Sequence, residues 1–238
     1  MNDKKPDTSS DPWLLQCLDS ADHLELLRLG KRCFIEKNSF AFKAGDSHDS
    51  VYLVERGCFK VFQTTTKGKN MWLSCRGAGE LLGLRGALWP NGNKVRKYSA
   101  KACVDSEILT YSASSFMAFV ALHPGLTFNI VMILLQRLND VNDILTSLAM
   151  TNTTSRVARL ILHCYRCYGL HVSKSMDMGV PLSQQEIADM AGVARQTVSG
   201  ILSEFKAQGV VSVTHKHIRI ECESKLVKLA YSDCAQES

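Results

Sequence analysis

Residues Leu182–Val211 read LSQQEIADMAGVARQTVSGILSEFKAQGVV, and their punctuation sets out two helices joined by a tight turn. Ser183 is placed to cap the first helix. Glu186, three residues on, completes a capping box in which each side chain satisfies a backbone N–H of the other residue. Ile187, Ala188 and Met190 or Ala191 form that helix's apolar face. Gly192 allows the turn, because a left-handed backbone is unstrained only without a Cβ. Val193 is set to pack between the helices, and Gln196–Gln208 forms the second, burying Val198, Ile201, Leu202 and Phe205. Beyond it, VVSVTHKHIRIE (residues 210–221) alternates apolar and polar residues as a hairpin does, with Thr214, His215 and Lys216 at the tip. Packing alone also produces helical hairpins, but a glycine turn, a polar second-helix face and a following wing together favour a winged helix-turn-helix. Its second helix fits the major groove. Arg195, Gln196 and Ser199 are the candidates for base readout, since arginine matches guanine O6/N7 and glutamine adenine N6/N7, each pair giving about 1–3 kcal/mol of discrimination. Ser183, Gln185, Thr197 and Lys216 are the candidates for phosphate contacts that fix register on the duplex.

Upstream, Val131, Leu134, Leu138, Val141, Leu145 and Leu148 recur at spacings 3, 4, 3, 4, 3, an a/d heptad seam flanked by Gln136, Arg137, Asp140 and Asn142. Such a stripe belongs either to an amphipathic helix packed on its own domain or to a parallel two-stranded coiled coil. The narrowness of the seam favours the dimer, which would supply a second half-site about 34 Å away on the same DNA face. From Lys31 to Ser112 the texture differs: short runs such as VYLVERG, CFKVFQT, MWLSCRG and EILTYSA lie between repeated glycines. Many short strands with frequent turn signals indicate a β-sandwich or barrel. Residues 1–12 read as a loose polar arm, 13–29 as one or two short helices, and Ser112–Pro124 as a helix capped by Ser112, Ser114 or Ser115. TNTT (151–154) interrupts the heptads and caps a helix over Ser155–Tyr168, and GLHVSKSMDMGVP reads as loop plus a short strand. The division expected is a β-roll over 13–125, a dimerisation helix over 126–150 and a winged-helix domain over 151–232, an α+β chain.

Composition is that of an ordinary globular protein: 238 residues, 45% hydrophobic and 21% charged. The longest apolar runs fall far short of the roughly 20 residues of a membrane span. The N-terminus has no apolar stretch behind its lysines, so no signal peptide and no membrane partner is expected, and the compartment read is the cytoplasm. The net charge of +5 is uneven, since Lys43–Lys101 carries 11 Lys/Arg against 4 Asp/Glu. Nine cysteines, an odd number without an export signal, read as reduced thiols rather than a disulfide framework.

A glycine-punctuated roll, a heptad helix and a C-terminal winged helix, in that order, resemble the Crp/Fnr family of bacterial transcription regulators over about residues 13–230. FKAGDSHDSVYLVERGCFKVF is similar to the first half of that family's cyclic-nucleotide-binding-type roll, GAGELLGLRGAL to its phosphate cassette, and LSQQEIADMAGVARQTVSGIL to its DNA-binding signature. The resemblance implies a homodimer that binds palindromic double-stranded DNA, is gated by a small effector, and recruits or occludes RNA polymerase. It also implies where this chain departs. The cassette glutamate that holds a ribose is Leu84 here, following Gly83; the Arg-Ser phosphate pair falls at Arg96 and Lys97; the purine-reading hydroxyl pair falls at Val141 and Asn142. These losses of polar complementarity argue against cAMP. A common recognition-helix glutamate is Gln196, and a common arginine four residues later is Gly200, so the half-site is expected to differ from the usual TGTGA or TTGAT.

Arg85, Lys94, Arg96, Lys97 and Lys101 place five cations in seventeen residues with no acid between them. Buried charges need a partner, so the expected effector is a small anion, and the alternative is a solvated basic loop. ALWPNGNKVRKYSA also looks like the cassette of halorespiration-type regulators in the family, which sense chlorinated aromatic acids. The expected effector site is therefore Arg85, Trp89, Arg96, Lys97 and Tyr98, with Asn142 from the long helix, and the ligand an organic or aromatic acid.

A redox, metal or haem sensor of the same family is the other reading. Cys17, Cys33, Cys58, Cys75 and Cys103 are too widely spaced for the iron–sulfur pattern of Fnr-type sensors. Cys164 and Cys167 form C-x-x-C on one helix face, which reads as one buried and one flanking thiol or as a sensing pair. His23, His48 or a cysteine would be the haem candidates; His215 and His217 point to opposite faces of the wing. Spacing singles out no metal ligand set and no cofactor. No catalytic constellation is present: His48 is the lone histidine between residues 31 and 112, which is too few for a cupin-type metal enzyme, and neither a Walker A loop nor G-x-S-x-G occurs.

Overall fold

The structure, a computed structural model, describes residues 13–65, 70–89, 95–150, 152–172, 183–214 and 217–232. Compact units part within the long helix, between Leu138 and Asn139, and residues 60–75 group with the second unit. No single helix among the described residues is long and apolar enough to cross a membrane.

The N-terminal domain opens with a 3-10 turn, Trp13–Leu15, and helix α1, Ser20–Leu29. Asp19 starts α1 by accepting the Ala21 and Asp22 N–H groups at 2.8 Å each. Eight strands follow among the described residues: β1 Lys31–Ile35, β2 Phe40–Phe42, β3 Ser50–Arg56, β4 Cys58–Thr64, β5 Asn70–Gly77, β6 Leu81–Leu82, β7 Ser99–Ala102 and β8 Ser106–Ser112. They form two four-stranded sheets, β1-β8-β3-β6 and β2-β7-β4-β5. In the first, Leu53 faces Leu109 and Val51 faces Tyr111 across an antiparallel ladder, so alternate side chains turn inward together. A core of Leu14, Leu26, Val51, Leu53, Leu81, Leu109, Tyr111 and Phe116 lies under that sheet, sealed by α1 and by helix α3, Ala113–Leu122. Ser112 caps α3, as its position predicts, by accepting the Ser115 N–H at 3.0 Å.

Helix α4, Pro124–Met150, begins at a proline, which needs no N–H partner in a first turn. Leu126 and Ile130 are buried in the roll core. Past them the stripe turns outward: Val131, Leu134, Leu138, Val141 and Leu145 are 38–59% exposed. Packing of the seam on its own domain is thus not what the described residues show. The Leu148 side chain lies outside the described residues.

The C-terminal domain contains α5 Thr153–Val172, α6 Gln184–Ala191, α7 Arg195–Ala207, strands β9 Val211–Thr214 and β10 His217–Ile220, and α8 Glu223–Ala230. Asn152 caps α5 by accepting the Ser155 N–H at 2.8 Å. Two sequence expectations need correction. Helix α5 continues through Gly169 to Val172 where a loop was expected, because its strongly amphipathic pattern outlasts the local weakness of one glycine. Helix α8 was not foreseen; it buries Leu226 and Ala230, and Arg159 Nε of α5 donates to the Ala230 carbonyl. Residues 173–182, which include the expected short strand, lie outside the described residues.

His123, at the end of α3, stacks on Phe119 and engages the Phe119 carbonyl through Nδ1 at 2.7 Å, with Nε2 3.2 Å from Asp22. The Phe119 carbonyl and Asp22 raise its pKa above the ordinary histidine value. A raised folded-state pKa means protonation favours the fold. The roll is therefore expected to melt at a higher temperature below pH 6 than above pH 8, with the change falling as pH rises past the ordinary value of about 6.5. His123→Gln should flatten that part of the profile, measured by thermal melts across pH.

Candidate nucleic-acid interface and effector pocket

The two-helix unit is built as its punctuation predicts. Ser183 Oγ accepts the Glu186 N–H at 3.2 Å, and Glu186 Oε2 accepts the Ser183 N–H at 2.9 Å, so the capping box is complete. Burial works against ionisation of Glu186, but hydrogen bonds and charge from Lys60 and Ser183 outweigh it and hold the carboxyl below its usual range. Gly192 adopts φ 66°, and the Val193 N–H closes on the Ala188 carbonyl at 3.0 Å. Ile187, Ala188, Ala191, Val198, Ile201, Leu202 and Phe205 are buried between α5, α6 and α7.

That packing leaves the opposite face of α7 open. Arg195, Gln196 and Thr197 are exposed on its first turn, one residue earlier than the expected start, and Ser199 is half-buried. Ala194 gives no side-chain cap, so the positive end of the helix dipole faces outward beside Arg195, which suits phosphate oxygens. Two phosphate candidates are already engaged. The Ser183 hydroxyl lies 2.9 Å from Glu186 Oε2, and Gln185 Nε2 donates to Asp189 at 3.1 Å. Lys216, at the wing tip, lies outside the described residues; β9 and β10 pair antiparallel on either side of it, Thr214 facing His217. Gly200 sits mid-helix and exposed, with open space where a Cβ would stand.

In the roll, Gly83 adopts φ 76° and precedes a short helix, α2, Leu84–Leu88. A Cβ there would meet Arg96 Nη1 at 2.6 Å and the Ser50 carbonyl at 2.8 Å. Arg96 is 3% exposed. Its Nη2 donates to the Ser50 carbonyl at 2.8 Å, and its guanidinium lies 4.1 Å over Phe42 and 5.2 Å over Tyr52, rings that stack on each other. Burial lowers its pKa, and Tyr52, Asp49 and Asp46 act against that. Arg96, one of the cations expected to hold the effector, thus already has a carbonyl, two ring faces and nearby acids around it.

The other predicted effector residues differ in exposure and in what they touch. Arg85 stands 5.8 Å over Trp89, and Lys97 lies 5.7 Å over Tyr98; Arg85, Trp89 and Lys97 are exposed and Tyr98 is half-buried. Lys101 sits 5.6 Å over Phe40, and Lys94 lies outside the described residues. Asn142 is exposed on the part of α4 that belongs to the second unit. His48 was not assigned to this site, yet burial and then the charges of Arg96 and Arg85 hold it below the usual histidine range. Among the described residues its Nδ1 is buried without a hydrogen-bond partner. Leu84, where a ribose-binding acid would stand, is buried.

Comparison with known proteins agrees with both halves of this geometry. Residues 32–123 match the cyclic nucleotide-binding domain and residues 155–229 the Crp-like helix-turn-helix domain. The chain belongs to the Crp/Fnr family of transcription regulators. It is 23% identical over 79% of its length to a CRP-like cAMP-activated global transcriptional regulator of Mycobacterium tuberculosis, covering 83% of that protein. It is 27% identical over 80% of its length to the cyclic AMP receptor protein of Thermus thermophilus, again covering 83%. Its fold matches the c-di-GMP responsive global regulator CLP of Xanthomonas campestris with a TM-score of 0.69 at 20% identity, over 86% of this chain and all of that one. Members of this family regulate transcription and are not enzymes, and this regulator carries a DNA-binding helix-turn-helix and an effector-binding-type domain.

Arg195→Ala should cost about 1–3 kcal/mol on the preferred duplex and relax specificity at one base position, whereas Thr197→Val should weaken all sequences alike. Competition anisotropy on a panel of duplexes separates the two patterns. Gly200→Ala should raise thermal stability by about 0.5–1 kcal/mol; a concurrent loss of DNA affinity would show that the groove needs the bare backbone there.

Proposed function

We propose that this regulator acts in the cytoplasm as a homodimer on palindromic double-stranded DNA, gated by a small organic or aromatic acid bound in the roll. The observation that carries the dimer is α4, whose apolar stripe is buried at Leu126 and Ile130 and then exposed from Val131 through Leu145. Burying each such side chain contributes about 1.5–3 kcal/mol, and the heptad spacing fits a second copy of the same helix.

Support for an acid comes from the pairing of exposed cations with aromatic rings, Arg85 with Trp89 and Lys97 with Tyr98, near a buried Arg96. A carboxylate would take a cation, and the ring attached to it would lie against an indole or phenol. The buried leucine at position 84 argues against a ribose in that place. Since Arg96 is already braced internally, Arg85 and Lys97 are the cations that would meet the ligand, with Asn142 sensing it from α4. The effector would shift an existing equilibrium between orientations of the DNA-binding domains by no more than its differential affinity for them. Recruitment or occlusion of RNA polymerase would follow.

Sedimentation velocity should give a dimer for the native chain and a monomer for the Leu134→Lys/Leu138→Lys variant. A native monomer, or a dimer indifferent to those charges, would remove the seam from the mechanism. Substituted benzoates and other aromatic acids, titrated against DNA binding, should change operator affinity. Arg85→Ala or Lys97→Ala should weaken that response about tenfold or more while leaving unliganded DNA binding in place.

A further inference from the structure

Three cysteines that lie far apart in the chain converge in the second sheet of the roll. Cys58 opens β4, Cys75 lies on β5 and Cys103 directly follows β7; these strands are hydrogen-bonded neighbours in the order β7-β4-β5. The Cys103 N–H donates to the Cys58 carbonyl at 2.8 Å, which fixes two of the three backbones against each other. All three sulfur atoms lie within 4.8 Å of one another, and the residues are 0%, 2% and 6% exposed. We propose that Cys58, Cys75 and Cys103 form a binding site for a trivalent thiophilic element of the arsenite class, held by three sulfurs.

The geometry and the charge both select this chemistry. Three sulfurs each about 2.3 Å from one pyramidal centre stand about 3.4 Å apart, so side-chain rotations from their present spacing close the triangle. The group contains no fourth histidine, cysteine or carboxylate among the described residues, whereas structural zinc is held by four ligands. Three thiolates around a divalent ion would leave a net negative charge buried, and around a monovalent ion two, which a site this enclosed disfavours. A trivalent centre is neutralised completely. Arsenous acid is itself uncharged, and the exchange is balanced: As(OH)3 + 3 Cys-SH gives As(S-Cys)3 + 3 H2O. Three As–O bonds break and three As–S bonds form, each thiol proton leaves with a departing hydroxyl as water, and nothing is oxidised or reduced. Binding would tie β4, β5 and β7 together at one end of the sheet.

The test uses the full-length, reduced protein titrated with sodium arsenite and followed by native mass spectrometry and arsenic X-ray absorption. One arsenic per chain with loss of three protons and three sulfur neighbours is expected, together with a higher melting temperature. Cys75→Ser and Cys103→Ser, each checked for a native circular-dichroism spectrum, should bind more than about a hundredfold more weakly, because the third thiol acts at high effective concentration once two are engaged. Cys164→Ser/Cys167→Ser should bind as the native chain does. The proposal is overturned if arsenic binds with only two sulfurs, if binding follows Cys164 and Cys167 instead, or if the folded native protein takes up none. It is also overturned if zinc or monovalent copper displaces arsenic at equal concentration. Because the readout on the native chain does not depend on the variants folding, a destabilised serine variant leaves the result decisive.

Discussion

Apolar surface on α4 has to be covered, and one helix cannot be covered by one partner along its whole length. The first turns carry Leu126 and Ile130 into the roll, where Leu14, Phe116 and Phe119 enclose them. After that the sheet ends but the hydrophobic repeat does not, and five branched side chains emerge into solvent. The helix is thus anchored at one end by its own domain and carries an exposed apolar stripe beyond it. The proposed gating draws on that division, because the roll itself holds the first turns of the helix that would carry a signal.

Arg96 shows a second constraint at work. A guanidinium enclosed by protein must find hydrogen-bond acceptors and nearby negative potential or it destabilises the fold. Here Ser50, the faces of Phe42 and Tyr52, and the acids Asp46 and Asp49 provide them, and Gly83 leaves the space in which the group lies. The arginine therefore braces the cassette before any ligand arrives. An incoming anion would have to compete with the Ser50 carbonyl or use the outer cations, Arg85 and Lys97, and the exposure of these two makes the second course the less demanding one.

Much of this was legible in the sequence because the signals were local. Capping box, left-handed glycine and apolar spacing lie within one short segment, and each constrains backbone torsions directly, so Ser183, Glu186, Gly192 and the buried face of α7 stand where they were expected. The heptad stripe of α4 was legible for the same reason. What escaped was long-range. Cys58, Cys75 and Cys103 are scattered in the chain, and only strand order brings their sulfurs together; the spacing rules applied to the cysteines carry no information about sheet neighbours. Ser50 could not be identified as the acceptor for Arg96 without the close approach of the segment before β7 to the start of β3. Likewise, Ser183 and Gln185 were read as phosphate contacts, and the side-chain hydrogen bonds that also engage them, to Glu186 and Asp189, are visible only in the structure.

The most direct measurement is the affinity for a palindromic duplex, selected by the protein from a random pool, compared with a single half-site across a range of salt concentrations. A dimeric DNA-binding regulator predicts one dimer per palindrome, much weaker binding to the half-site, and a steep linear fall of log affinity with log salt as counterions are released. Equal affinity for the half-site with little dependence on salt would contradict it.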